Sequence, residues 1–134
     1  MRTLGALLAL AGSILLAPAA GAAEGRTELR IAYREDARRQ APPLVWTLRC
    51  DPSGGTHPSP ARACEGLARV GRDAFRPVPP QTACTEIYGG PQTAVVAGTV
   101  DGKRVWTRLR RDNGCEIARW DRLRFLIPAR PGVR

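Results

Sequence analysis

The chain has 134 residues, and 21 Lys or Arg against 12 Asp or Glu give it a formal net charge of +9. This length allows one small domain with one modest core. The basic residues are scattered and are not interleaved with aromatic residues, which disfavours a base-stacking surface. We therefore expect neither a nucleic-acid partner nor a membrane partner.

The first 23 residues have the layout of a secretory signal peptide. Arg2 supplies a positive charge, an apolar run extends from Leu4 to Leu16, and small residues fill most of positions 17–23. The apolar run is too short to span roughly 30 Å of hydrocarbon as a membrane anchor. We predict a signal peptide at 1–23 and one exported domain at 24–134, secreted to an extracellular location.

The four cysteines are expected to form two disulfides. They contain no close Cys-x-x-Cys pair and the chain has a single histidine, so neither a metal site nor a cofactor is predicted. An even number of cysteines in an exported chain favours disulfides, and three pairings are open. The simplest is sequential, because it ties two separate units: Cys50 with Cys64, and Cys84 with Cys115.

Two strands and a helix are predicted in the first half of the domain. Apolar and polar residues alternate over 27–33, and the run Leu44–Cys50 is rich in β-branched and aromatic residues. Ser59 followed by Pro60 is typical of a helix start, and Gly71 of a helix end. In the helix between these two signals, Cys64, Leu67 and Ala68 fall on one face, which we expect to point inward.

The second half is predicted to contain a hairpin, a helix and a last strand. Asp101-Gly102 joins two strand-like runs, 92–100 and 103–111, with Val105, Thr107 and Leu109 on one face. A short helix at 115–123 precedes an apolar run, 124–127, that we expect to be a strand. Five strands and two helices without βαβ alternation predict an α+β fold with an antiparallel sheet.

The residues for catalysis are hard to assemble. His57 lies in a turn between Thr56 and Pro58, where a histidine is more often structural than a general base. Ser53 and Ser59 are too close to it in sequence for a credible triad, and no Gly-x-Ser-x-Gly turn is present. We do not expect the protein to be an enzyme, and no residue is assigned a catalytic role.

The stretch Cys84-Thr85-Glu86-Ile87-Tyr88-Gly89-Gly90-Pro91 carries the most functional information. It follows a proline-rich run at 77–80 and precedes a strand. In one reading, Ile87 and Tyr88 pack on the core. In the other, the stretch is held extended and exposed, which suits insertion into the cleft of a protease as a substrate-like segment.

The sequence resembles the Streptomyces subtilisin inhibitor family of secreted serine-protease inhibitors. The resemblance covers about 45–125 and rests on six motifs: Leu48-Arg49-Cys50, Gly55-Thr56-His57-Pro58, Ala63-Cys64, Cys84-x-x-Ile87-Tyr88, Gly102-Lys103-Arg104-Val105 and Asn113-Gly114-Cys115-Glu116. It implies a five-stranded antiparallel sheet with two short helices, the sequential disulfides, and a homodimer formed through the sheet.

The resemblance also implies the site and the partner. The reactive bond is Glu86–Ile87, the neighbouring contacts with the protease are Cys84, Thr85, Tyr88 and Gly89, and the partners are subtilisin-like serine endopeptidases. Better-known members carry methionine or lysine where this chain has Glu86, so a protease with a basic specificity pocket, such as a glutamyl endopeptidase, is expected to suit it. The alternative is an exported binding module that keeps the fold, has lost inhibition, and uses its arginine-rich surface.

Overall fold

The computed structural model describes residues 25–128. Four strands and two helices follow one another in the order β1, β2, α1, β3, β4, α2, with one short 3-10 helix after α1 and another after α2. Their bounds are β1 Thr27–Arg34, β2 Leu44–Cys50, α1 Pro60–Val70, a 3-10 helix Arg72–Phe75, β3 Thr93–Val100, β4 Lys103–Leu109, α2 Gly114–Leu123 and a 3-10 helix Arg124–Leu126.

The strands form one antiparallel sheet in the order β2-β1-β3-β4. Side chains alternate between its two faces, as the sequence pattern predicts. The inner face and the helices that cover it enclose the core, whose most deeply buried side chains are Ile31, Leu48, Val96, Leu109, Leu123 and Leu126. The described part of the chain is therefore α+β, with the helices on one face of the sheet.

The β3–β4 hairpin forms as predicted. Asp101 and Gly102 both have positive φ, 50° and 74°, the conformation that a two-residue turn requires and that Asp-Gly favours. On β4, Val105, Thr107 and Leu109 are buried, whereas the residues between them are exposed. The alternation in the sequence therefore identified the face that packs on the core.

The predicted fifth strand at 124–127 is wrong. Residues 124–126 form a 3-10 turn that continues directly from α2. Leu123 and Leu126, three residues apart, are both fully buried, so the apolar run meets the core at helical rather than strand spacing. The sheet of the described residues has four strands, not five.

The predicted inward face of α1 is partly wrong. Leu67 is buried, but Ala68 is exposed and Cys64 is only half-buried. The helix instead turns Ala63 and Gly66 inward. Gly66 lies against the Phe125 ring, where an added Cβ would be 2.5 Å from a ring carbon. That contact joins residues far apart in sequence, so it could not be read from helical spacing alone.

Both disulfides have the sequential pairing. Cys50–Cys64 joins the end of β2 to α1, and Cys84–Cys115 joins the long segment before β3 to the start of α2. The predicted signal peptide, 1–23, lies outside the described residues. Among the residues that are described, no helix combines the length and apolar character needed to cross a membrane.

Candidate functional site

The stretch Cys84–Pro91, called here the exposed loop, stands out from the rest of the surface. It has no helix or strand of its own. Ile87 is 59% exposed and Tyr88 is 63% exposed, although both are large and apolar, and Glu86 is exposed between Thr85 and Ile87. The reading in which Ile87 and Tyr88 pack on the core is therefore wrong.

The exposed loop is fastened on both sides of Glu86–Ile87 to one short segment, 111–115. Before the bond, Cys84 is bridged to Cys115 and the carbonyl of Thr85 accepts a hydrogen bond from the amide of Gly114 at 2.9 Å. After the bond, the amide of Gly89 donates to the carbonyl of Arg111 at 2.6 Å. Three residues, 86–88, thus span two anchored ends, and all three are exposed.

Asn113 explains why the supporting segment is well defined. Its side-chain oxygen accepts the backbone amide of Glu116 at 2.9 Å, which caps the N-terminus of α2. Asn113 thereby fixes the start of the helix on which Gly114 and Cys115 lie.

The glycines at 89 and 90 let the loop approach its support closely. A Cβ on Gly89 would lie 3.0 Å from the Ile117 side chain, and one on Gly90, where φ is 135°, would lie 2.3 Å from Gln92 Oε1. Both glycines are packed against neighbouring residues.

A buried ionic network holds α2, and with it Cys115, against the sheet. Arg119 donates to Glu116 Oε2 at 2.8 Å and to the carbonyl of Arg108 at 3.3 Å, and it also bonds the Thr107 hydroxyl. Its Nε reaches the carbonyl of Arg76, directly before the proline-rich run, at 3.1 Å. One side chain therefore joins α2, β4 and the start of the segment that leads to the exposed loop.

The connection between β1 and β2 supports the other end of the loop. The amide of Ala37 donates to the carbonyl of Pro91 at 3.1 Å. Asp36 holds this turn in place by bonding the backbone amide and the guanidinium of Arg38. Tyr88 faces the same corner, since its neighbourhood includes Arg38 and Pro91.

His57 has a packing role in this structure. It is buried, and its Nδ1 accepts the backbone amide of Ser59 at 3.1 Å. Burial disfavours the charged imidazolium and lowers the pKa of His57 below its ordinary value. Within residues 25–128, no group of three or more His, Cys, Asp or Glu side chains is placed to hold a metal ion.

The sequence identified the loop but missed most of its support. Cys84, Thr85, Glu86, Ile87, Tyr88 and Gly89 lie together, and Cys115 lies beneath them, as expected. The sequence did not identify Arg111, Gln92 and Arg119 as residues that support the loop. The i, i+3 spacing of Glu116 and Arg119 was the one available signal, and it is common on helices.

This arrangement can present the Glu86–Ile87 peptide bond to a binding cleft while the segments on both sides of the bond stay attached to segment 111–115. An extended segment with outward side chains can pair with the edge of a binding cleft while one side chain enters a pocket. Because both flanks are already fixed, little conformational entropy is lost on binding. If the bond were cut, the two new ends would remain attached to segment 111–115.

Comparison with known proteins gives a consistent result. A family model described as subtilisin inhibitor-like matches residues 25–113. The chain is 38% identical over 117 residues to a putative serine protease inhibitor of Streptomyces avermitilis, covering 84% of this chain and 77% of that one. It is 36% identical over 91 residues to subtilisin inhibitor-like protein 5 of Streptomyces fradiae, covering 66% of this chain and 84% of that one.

A solved structure supports the fold. Streptomyces caespitosus sermetstatin, determined in complex with Bacillus licheniformis subtilisin, matches with a TM-score of 0.50 and 23% identity. The match covers 78% of this chain and 99% of that one. At this identity the similarity concerns the fold alone.

Proposed function

The chain belongs to the subtilisin inhibitor-like family of protease inhibitors, and from this premise we propose that it inhibits subtilisin-like serine endopeptidases with the exposed loop, using Glu86–Ile87 as the reactive bond. The observation that carries the proposal is the anchoring of both flanks of that bond to segment 111–115. Family membership does not favour the alternative of a binding module that has lost inhibition.

The proposed mechanism is that of a substrate held too firmly to be released. The protease binds residues 84–89 as an added strand and places Glu86 in its specificity pocket. Cleavage is slow in effect, because the amine of Ile87 stays near the acyl group and can attack it again. The preformed loop also makes binding tight, since its anchored flanks leave only the short span 86–88 to be ordered.

Glu86 is proposed to select the target. Its side chain is exposed, and no ion pair with another described residue holds it, so it is available to enter a pocket. A carboxylate buried without a partner is strongly unfavourable, whereas one that meets a basic pocket is stabilised. A glutamyl endopeptidase is therefore the proposed preferred target, ahead of subtilisin and well ahead of trypsin.

The test is titration of subtilisin, a glutamyl endopeptidase and trypsin with the protein and with the variant Glu86→Lys. Glu86→Lys should inhibit the glutamyl endopeptidase at least about a hundredfold more weakly and should gain inhibition of trypsin. The reason is that the side chain entering the specificity pocket then carries a positive instead of a negative charge. Arg104→Met, on the far end of β4 from the loop, is the control and should behave as the parent. An unchanged preference in Glu86→Lys would contradict the assignment of Glu86.

We also propose that the inhibitor is secreted after removal of residues 1–23. The support is the charge, apolar run and small residues of that segment, together with two disulfides, which form in oxidising compartments. N-terminal sequencing of the protein exported by its host should begin near residue 24. A protein that is retained in the cytoplasm at full length would contradict this proposal.

A homodimer through the outer face of the sheet is the remaining proposal. This face carries exposed apolar side chains on both edge strands, Val45 on β2 and Trp106 on β4, which are exposed by 39% and 65%. Arg30 and Arg108 border it. Since arginines of two copies would repel each other, dimerisation should strengthen as salt rises. Sedimentation equilibrium of the parent and Trp106→Ser checks this; a monomer at every salt concentration would contradict it.

A further inference from the structure

The part of the exposed loop after the reactive bond rests on one arginine. Arg111 Nη1 donates to Gln92 Oε1 at 3.1 Å, and its guanidinium carbon lies 5.7 Å from the centre of the Trp120 ring. Its carbonyl accepts the amide of Gly89 at 2.6 Å. A Cβ on Gly90 would lie 3.5 Å from Nη1. Backbone and side chain of Arg111 thus support residues 89–92 together.

The two sides of the reactive bond are held in different ways. Before the bond, Cys84 is covalently attached to Cys115, two residues from Glu86. After it, the chain runs from Ile87 to the start of β3 at Thr93 with no covalent link to the support. When water adds to the bond, Glu86 gains a carboxylate and Ile87 an ammonium group. The position of that amine then depends on noncovalent contacts.

We propose that Arg111 is a positioning residue that keeps the amine of cleaved Ile87 beside the carboxyl group of Glu86. The inference rests on the proposed function. In the reverse reaction the amine attacks the carboxyl carbon, the peptide bond forms, and one water molecule leaves. A well-placed amine has a high effective concentration, so the intact form is favoured. Arg111 therefore sets the ratio of intact to cleaved inhibitor.

An arginine suits this role for a specific reason. Its planar guanidinium can stack on the Trp120 ring and donate a hydrogen bond to Gln92 at the same time, which a lysine ammonium cannot do in the same geometry. The Nε atom of Arg111 is buried, and among residues 25–128 it has no hydrogen-bond partner. Burying this N–H group removes its hydrogen bonds to water, which is unfavourable. Such a burial is expected where the position of the guanidinium matters more than its hydration.

The experiment measures the equilibrium ratio of intact to cleaved protein. A catalytic amount of a protease that cuts at Glu86–Ile87 is added, and the ratio is followed by mass spectrometry from intact and from cleaved starting material until both agree. Arg111→Met should lower the ratio about tenfold, as expected for loss of one hydrogen bond to a charged group. Arg111→Lys should fall between it and the parent, and Arg104→Met, the exposed control, should match the parent.

Gln92→Ala provides a second, milder variant. It removes the partner of Nη1 and should lower the ratio in the same direction, and the double variant with Arg111→Met should fall little further because both changes remove one interaction. Melting temperatures of all variants are measured in parallel. A ratio that stays within about twofold of the parent in Gln92→Ala and Arg111→Met would overturn the inference.

Failure of the proposed function gives a different result. If the parent protein inhibits no serine protease, or is cut somewhere other than Glu86–Ile87, the proposed function fails and this inference fails with it. If the parent inhibits and is cut slowly at that bond, but Arg111→Met and Arg104→Met change the ratio equally, only the inference fails. A general effect of charge would then explain the result.

Discussion

Removing the Cys84–Cys115 bridge should convert the inhibitor into an ordinary substrate. The bridge closes a sequence separation of 31 residues, and its loss should cost about 4 kcal/mol of global stability by releasing the unfolded chain. Locally, the segment before the reactive bond would keep one backbone hydrogen bond, from Gly114 to Thr85, worth about 1 kcal/mol. Hydrolysis of Glu86–Ile87 should therefore accelerate at least about a hundredfold.

The other disulfide supplies the matched control. Cys50–Cys64 closes a separation of 14 residues, so its loss should cost about 3 kcal/mol, nearly as much, but it lies away from the exposed loop. The assay compares the Cys84→Ser, Cys115→Ser and Cys50→Ser, Cys64→Ser double variants at a temperature where circular dichroism shows both folded. Intact protein is quantified over time with a glutamyl endopeptidase or subtilisin.

Two results would show that the Cys84–Cys115 bridge does not protect the bond. If both double variants were cleaved equally fast, general stability rather than local fastening would protect the bond. If the variant without Cys84–Cys115 resisted cleavage and inhibited as well as the parent, the backbone hydrogen bonds and Arg111 would be sufficient. We expect the variant without Cys50–Cys64 to lose stability and to keep the slow cleavage of the parent.

Two further predictions concern stability. Gly98→Ala should destabilise the fold by about 2 kcal/mol or more, because φ there is 147° and the new Cβ would lie 2.0 Å from the carbonyl of Glu28; chemical denaturation checks this, and a variant as stable as the parent would contradict it. Burial lowers the pKa of His57 in the folded state, so the folded chain binds a proton less readily than the unfolded chain, and the free energy of unfolding should decline as pH falls below about 6.5. Urea titrations between pH 7 and pH 5 should show a flatter decline for His57→Asn, and identical slopes would contradict the assignment.

Local sequence patterns predicted most of the fold. Alternation located β1, β3 and β4, the β-branched and aromatic residues located β2, and Asp101-Gly102 located the hairpin. Each of these signals depends on a few neighbouring residues. The run at 124–127 failed because a short apolar run fits a strand and a buried turn equally well. Its burial depends on α1, where the Phe125 ring lies against Gly66, and that contact joins residues far apart in sequence.

The same division holds for the site. The exposed loop could be recognised from Cys84 and the glycines and prolines around it, and from the resemblance to a known family. The residues that support the loop could not be recognised from the sequence, because Arg111 and Arg119 are two of many arginines in the chain. Their roles arise when α2 docks on β4 and brings segment 111–115 beneath the loop. Tertiary contacts of this kind leave no periodic signal in the sequence.

We propose above that Glu86–Ile87 is presented to a serine protease as a substrate-like bond, and that both ends stay attached to the domain if the bond is cut. The most direct test of this proposal is to mix the mature protein with a glutamyl endopeptidase, titrate the residual activity, and map any cut by mass spectrometry. We expect stoichiometric inhibition and slow cleavage at Glu86–Ile87 alone, and the two pieces should separate after reduction of Cys84–Cys115 and denaturation. Rapid cleavage at this bond, cleavage elsewhere, or no interaction with this protease or with subtilisin would contradict it.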